Sequence, residues 1–181
     1  MSMVINPFWG SGSGEYLEDG YLGYFGPAPY GYAGFADTKN ALPVTVPSPG
    51  VYAKRIVVRV YSSTTGTQIR SLVYAGSAPT ATLVKTGIDI TLPTIVDTGI
   101  GDAGTDIDLW FNSDHSSIYL PAGSYLIGFQ ESDTIGVNED SAGNTTKNSD
   151  TYSDGLDAVF GTASLGSGTA KCKMPYSANG P

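Results

Sequence analysis

Between residues 117 and 132 the chain reads SIYLPAGSYLIGFQES. Tyr125, Ile127 and Phe129 alternate there with Ser124, Gly128 and Gln130, and Leu126 is the one apolar exception. A period of two carried by aromatic and β-branched residues marks a strand with one face on a core. Pro121 sets φ and Gly123 can take φ > 0, so 121–123 reads as a tight turn between a short strand and a longer one. This stretch constrains architecture and carries no chemistry of its own.

The neighbouring sequence extends the pattern. In 52–62 Ile56, Val58 and Val60 share one face, while Arg55, Val57, Arg59 and Tyr61 share the other. Residues 68–75 read as the hairpin partner of that strand. Further strands are predicted at 87–92, 105–112, 156–163 and 168–174, with 134–149 a long polar loop. Ile56, Val58, Val60, Leu109, Phe111, Tyr125, Ile127 and Phe129 are the predicted core. Turn signals at roughly ten-residue intervals, with no helical period, indicate a sandwich or barrel. The strand order from 50 to 175 suits a jelly roll of two sheets. Composition agrees: 14% of residues are charged, with Gly 24, Pro 11 and Tyr 12 among 181, against an ordinary charged share of about 25%. Few charges with many turn and strand formers favour an all-β chain.

The first 41 residues differ from the rest. Phe8, Trp9, Tyr16, Tyr21, Tyr24, Phe25, Tyr30, Tyr32 and Phe35 are interleaved with glycines, and no Lys or Arg precedes Lys39. This predicts an irregular arm, 1–41, with short strands at 21–25 and 31–36, followed by a jelly-roll β-sandwich, 42–181. The proline-bearing run ALPVTVPSPG (41–50) marks the entry to the sandwich. The rings either finish the sandwich's own core or cover one of its sheet edges, or, on a second reading, lay rigid aromatic surface on neighbouring subunits, where Tyr and Trp are favoured. On the second reading Trp9, Tyr16, Tyr21, Tyr24 and Tyr30 are subunit contacts.

The net charge of −8 argues against a nucleic-acid partner, which calls for a basic surface, and against attachment to anionic membrane. Cys172 is the only cysteine, so no intramolecular disulfide forms. There is no run of eighteen apolar residues. MSMVINPFWGSGSGEY lacks the basic and apolar regions of a signal peptide.

Three pieces, RVYSSTTGTQIRSLVYAG (59–76), SIYLPAGSYLIGFQESD (117–133) and FGTASLGSGTAKCKMPYS (160–177), resemble a β-sandwich module of phage tail and virion proteins and bacterial surface proteins. The resemblance covers 50–177, and the shared residues are turn glycines and core rings. The chain departs from the module's pattern at QIRSLV and at KCKMPY, which concerns the edge strands. The resemblance implies a jelly roll without a shared catalytic site. It further implies a structural protein of a phage-like virion, made in the host cytoplasm, whose partners are its own copies and other virion proteins. The alternative it implies is a carbohydrate- or receptor-binding module.

The candidate chemistry is sparse. His115, the only histidine, lies in NSDHSS (112–117), where a polar loop explains it better than a Ser-His-Asp triad does. Cys172 between Lys171 and Lys173 reads as a small buried residue between two exposed cations. Acids gather at Asp97, Asp102, Asp106, Asp108 and Asp114, and again at Glu139, Asp140, Asp150, Asp154 and Asp157. Their spacing does not match a calcium loop, so they read as solvated charge, with calcium the one cofactor left to test. One His and one Cys exclude a zinc site. In TDIDLWFN, Trp110 falls on the face of Asp106 and Asp108, away from Ile107, Leu109 and Phe111. Such a ring is covered by the arm of residues 8–35, or turned inward by a bulge that reverses the face, or free to stack on a sugar while the carboxylates accept its hydroxyls. Trp110, Asp106 and Asp108 are therefore the candidate glycan-binding residues. No residue is assigned a catalytic or metal-binding role.

Overall fold

The computed structural model describes residues 18–27, 30–33, 36–97, 103–140, 143–166 and 168–180. Its strands in chain order begin with β1 (Gly20–Tyr24), β2 (Tyr30–Ala33), β3 (Thr38–Ala53), β4 (Arg55–Ser63), β5 (Gln68–Ala75), β6 (Thr82–Thr86), β7 (Ile90–Thr91) and β8 (Ile95–Val96). They continue with β9 (Thr105–Trp110), β10 (Ile118–Glu131), β11 (Gly136–Asp140), β12 (Thr146–Ser149), β13 (Ser164–Leu165), β14 (Thr169–Ala170) and β15 (Cys172–Ser177). A single 3₁₀ turn, Tyr152–Asp154, interrupts them. The protein is all-β, as its composition and turn spacing indicate.

The strands form one antiparallel sheet along the path β14-β11-β4-β15-β3-β10-β5-β6, curled so that its halves enclose a core. All eight predicted core residues lie in that cluster. The alternation on β4, β9 and β10 thus places side chains as the period of two requires.

Three differences from the sequence reading have physical causes. The stretch 117–132 is one continuous strand, not a hairpin. Its register with β3 shifts between Pro121 and Gly123, so the expected turn is a bulge that bends the strand. The proline-bearing entry segment is likewise the middle of β3, which pairs with β10 from end to end. Its other edge meets β12 only at residues 38–41 and β15 only at 52–53, among the described residues. Pro47 and Pro49 sit in the stretch between Val46 and Gly50 that the register skips, where a missing N–H breaks no ladder bond with β10. The expected arm–sandwich boundary at 41/42 falls inside this strand. Finally, β5 pairs with β10, and β4 pairs with β9, β15, β11 and β8, so the 64–67 turn crosses between halves of the sheet.

The 134–149 segment, expected as a loop, contains β11 and β12, and the predicted strand at 156–163 is irregular apart from a bridge between Thr82 and Val159. Of the predicted strand at 87–92, only Ile90 and Thr91 are in one. Polar composition concealed β11 and β12, because their hydrogen-bonding comes from β2, β3, β4, β13 and β14, distant in sequence. The 150–163 segment instead covers the back of β3, β10 and β5. There Leu72, Tyr74, Ala81, Leu126 and Phe160 form a second buried cluster. Lys39, wholly buried, is fixed in it 3.0 Å from Asp150 and 3.5 Å from Asp157. The Tyr74 hydroxyl donates to the Asp157 carbonyl at 2.7 Å.

Candidate functional site

The third layer of side chains is on the outside of β4, β9 and β15. Because Ile56, Val58 and Val60 point inward, Arg55, Val57 and Arg59 point out. β9 lies alongside with Arg55 opposite Trp110, Val57 opposite Asp108 and Arg59 opposite Asp106. Arg59 Nε donates to Asp106 Oδ1 at 2.5 Å, and Arg55 Nε is 3.2 Å from Asp108 Oδ1. Cross-strand pairs of opposite charge therefore occupy both carboxylates of the candidate glycan site.

Trp110 is half-buried, and two groups cover it. His115 stacks on its ring with centroids 3.9 Å apart and planes 10° from parallel. The Arg55 guanidinium lies 5.1 Å from the ring centroid. The loop that brings His115 back is closed by its own polar groups. The His115 N–H donates to the Asn112 carbonyl at 3.0 Å, and His115 adopts φ 58°. The backbone N–H and hydroxyl of Ser116 donate to Asp114 Oδ1 at 3.0 and 2.7 Å. These bonds hold the Asp114 carboxyl below its usual range. Ser116 and Asp114 are bonded to each other while His115 is turned onto Trp110, a different arrangement from a Ser-His-Asp relay. The covering element that the sequence attributed to the arm is thus largely His115.

The arm reaches the same face a few residues away. β1 pairs with β15 over five residues, Gly20 opposite Tyr176 through Tyr24 opposite Cys172. Glu18 Oε1 lies 2.8 Å from Arg55 Nη2. Phe25 meets three cations: Lys173 Nζ 4.0 Å, Lys171 Nζ 5.0 Å and the Arg59 guanidinium 5.5 Å from its ring centroid. Lys173 Nζ is also 5.6 Å from the ring centroid of Tyr21. Cations over an aromatic face are attracted by its quadrupole. Comparison with family models, with curated proteins and with solved structures found no match.

Of the five expected contact residues, Tyr21 is 51% exposed, and Tyr24 is partly buried with its hydroxyl donating to the Pro27 carbonyl. Tyr30 is in β2 through its backbone, paired with Glu139 of β11. Trp9 and Tyr16 lie outside the described residues. Cys172 is buried and its thiol is pushed up to about 12 by that burial, which is the inert reading of its sequence context. Lys171, expected to be exposed, is 3% exposed. It faces outward from the sheet but lies beneath Phe25. Among the acids, Asp150 and Asp157 hold Lys39, and no three His, Cys, Asp or Glu among the described residues converge as metal ligands.

The sequence reading missed Arg55, Arg59, Phe25, Lys171 and Lys173 as a group. Their alternation on two strands was legible. Their meeting depends on the pairing of Cys172 with Val58 and Lys173 with Val57, which no local pattern encodes.

Proposed function

We propose that this chain is a non-enzymatic structural protein of a phage-like virion, a jelly-roll sandwich that acts through contacts with copies of itself and other virion proteins. The observation that supports this most is the placement of the arm. The main core is made by β3 to β15, and Leu22 and Tyr24 of β1 reach only its margin. β1 is an added strand along the free edge of β15, with Tyr21 half exposed, the kind of rigid amphipathic ring that interfaces favour. The resemblance of 59–76, 117–133 and 160–177 to virion modules points the same way.

Light scattering of the full chain beside a chain beginning at Ala36, which keeps β3 whole, tests the reading. Ordered assemblies from the full chain and a folded monomer from the shorter one are expected. A full chain that stays monomeric at every concentration overturns the reading.

The second reading, a carbohydrate- or receptor-binding module, draws on a groove of about 530 Å³ in the loop after Trp110, lined in part by Lys85, Asn112, Asp114 and Ser116. Tryptophan fluorescence during titration with a panel of oligosaccharides checks it. A saturable change that Asn112→Ala abolishes supports this module over assembly alone.

A further inference from the structure

Charge is divided unevenly between the arm and the surface beneath it. Up to Lys39 the arm carries Glu15, Glu18, Asp19 and Asp37 and no cation. The face it lies on presents Arg55, Arg59, Lys171 and Lys173, in a chain with only nine Lys and Arg against seventeen acids. The two surfaces are complementary in charge and in chemistry, rings against cations and strand against strand edge. β15 supplies a ladder edge, continued by the Asp19 N–H donating to the Tyr176 carbonyl at 2.8 Å. The Ala178 N–H donates to the Asp19 carboxylate at 2.7 Å. Gly23 makes the fit specific: at φ 101°, a Cβ there would fall 2.4 Å from the Cys172 carbonyl oxygen.

This attachment differs from a core contact. Its ion pair is partly exposed, with 40% of the Glu18 and 28% of the Arg55 side chain open to solvent. Exposed pairs and cation–π contacts are individually weak and screened by salt. The connection from β1 to β2 is FGPAP, residues 25–29. A strand held at a sheet edge makes the same contacts on its own β15 or on another copy's. Exchange between identical chains then costs little, which is the basis of strand swapping.

We propose that the β15 edge with its cation cluster is a receptor for an acidic, aromatic strand, filled in the isolated chain by its own β1 and in the assembled state by β1 of a second copy. This rests on the assembly reading above. It assigns to Arg55, Arg59, Lys171 and Lys173 the recognition of a neighbour's arm.

A disulfide trap in the full chain decides between the arrangements. Gly20 and Tyr176 face each other in the register and are both partly exposed, and opposed residues of antiparallel strands lie within disulfide reach. The chain carrying Gly20→Cys and Tyr176→Cys is oxidised, once dilute and once at a concentration where light scattering reports assembly. Non-reducing gels are expected to show internally linked monomer in the first sample and covalent dimers and longer ladders in the second. Internally linked monomer alone in assembled material overturns the exchange while leaving the assembly reading intact. No link in either sample overturns the β1–β15 receptor altogether. Failure to assemble at any concentration overturns both readings. Should the double variant fail to fold, Tyr24→Cys opposite the native Cys172 gives the same readout.

Discussion

Two outer faces of this sandwich are covered, and the covers are fastened in different ways. Over the back of β3, β10 and β5, residues 150–163 set Phe160 against Tyr74, edge to face at 5.3 Å, in a buried apolar cluster. A wholly buried Lys39 ties that cover down through Asp150 and Asp157. Over β4, β9 and β15 the arm is fastened by a five-residue ladder, a half-exposed tyrosine and cations around Phe25. Both bury a lysine near an aromatic ring, Lys39 in the first and Lys171 in the second, but the arm's cover leaves Phe25, Lys173 and Tyr21 partly open to water. Burial raises the strength of every polar contact and the cost of breaking it. The first cover is part of the fold, while the second has the energetics of an exchangeable contact.

The largest effect that tests this contrast is on the two phenylalanines. Phe160→Ala should cost about 3–5 kcal/mol by cavity formation, read as a lowered midpoint in urea unfolding. Phe25→Ala should cost no more than about 1 kcal/mol, the scale of exposed cation–π contacts. Equal losses would show that the arm is as integral as the 150–163 cover.

The next effect comes from Glu131, which is fully buried and accepts hydrogen bonds from Asn40 Nδ2 at 2.9 and 3.1 Å. Burial lifts its carboxyl well above the usual range, outweighing Asn40 and Lys147, which act in the opposite direction. The folded state therefore holds the proton more tightly than the unfolded chain. That contribution is fully present below the unfolded carboxyl range, near about pH 4, and is lost as pH rises through the folded value. Glu131→Gln should melt above the native chain at pH 7, with the advantage shrinking toward pH 4. A variant less stable at pH 7 would mean that the ionised carboxylate is held by stronger partners than Asn40 and Lys147.

A smaller effect is expected at the arm's own cations. Lys173→Ala should cost about 0.5–1 kcal/mol. Raising salt from 0.05 to about 0.5 M should speed amide exchange in β1 but not in β10, as screening weakens only the exposed contacts. Uniform protection of the two strands would erase the distinction. The smallest effect expected is none: EDTA should leave the melting temperature unchanged. A fall of about ten degrees would reveal that a bound cation holds one of the acidic loops.

Much of this was readable from local pattern. The inward faces of β4, β9 and β10 and the outward turn of Trp110 with Asp106 and Asp108 follow from a period of two. That period belongs to the backbone pleat and needs no partner to be specified. β11 and β12 were not readable, because Asn138, Glu139, Lys147 and Asn148 resemble a loop until strands from elsewhere bond to them. The prolines of β3 misled for a related reason. Their meaning depends on whether the edge they occupy has a partner, and that is settled by the fold.

What the sequence alone determined is the all-β class, eight residues of the main core and a ring-rich arm with no Lys or Arg before Lys39. Each of these rests on residue type and short-range order. Tertiary structure decided which strand lies beside which. It thereby set Arg55 and Arg59 against Asp108 and Asp106, and gathered Arg59, Lys171 and Lys173 around Phe25. Contacts as distant in sequence as those of Phe25 with Lys171 and Lys173 arise only when the sheet curls and closes. The physical reason is that strand pairing is a backbone interaction open to any sequence, selected by the packing of the whole core.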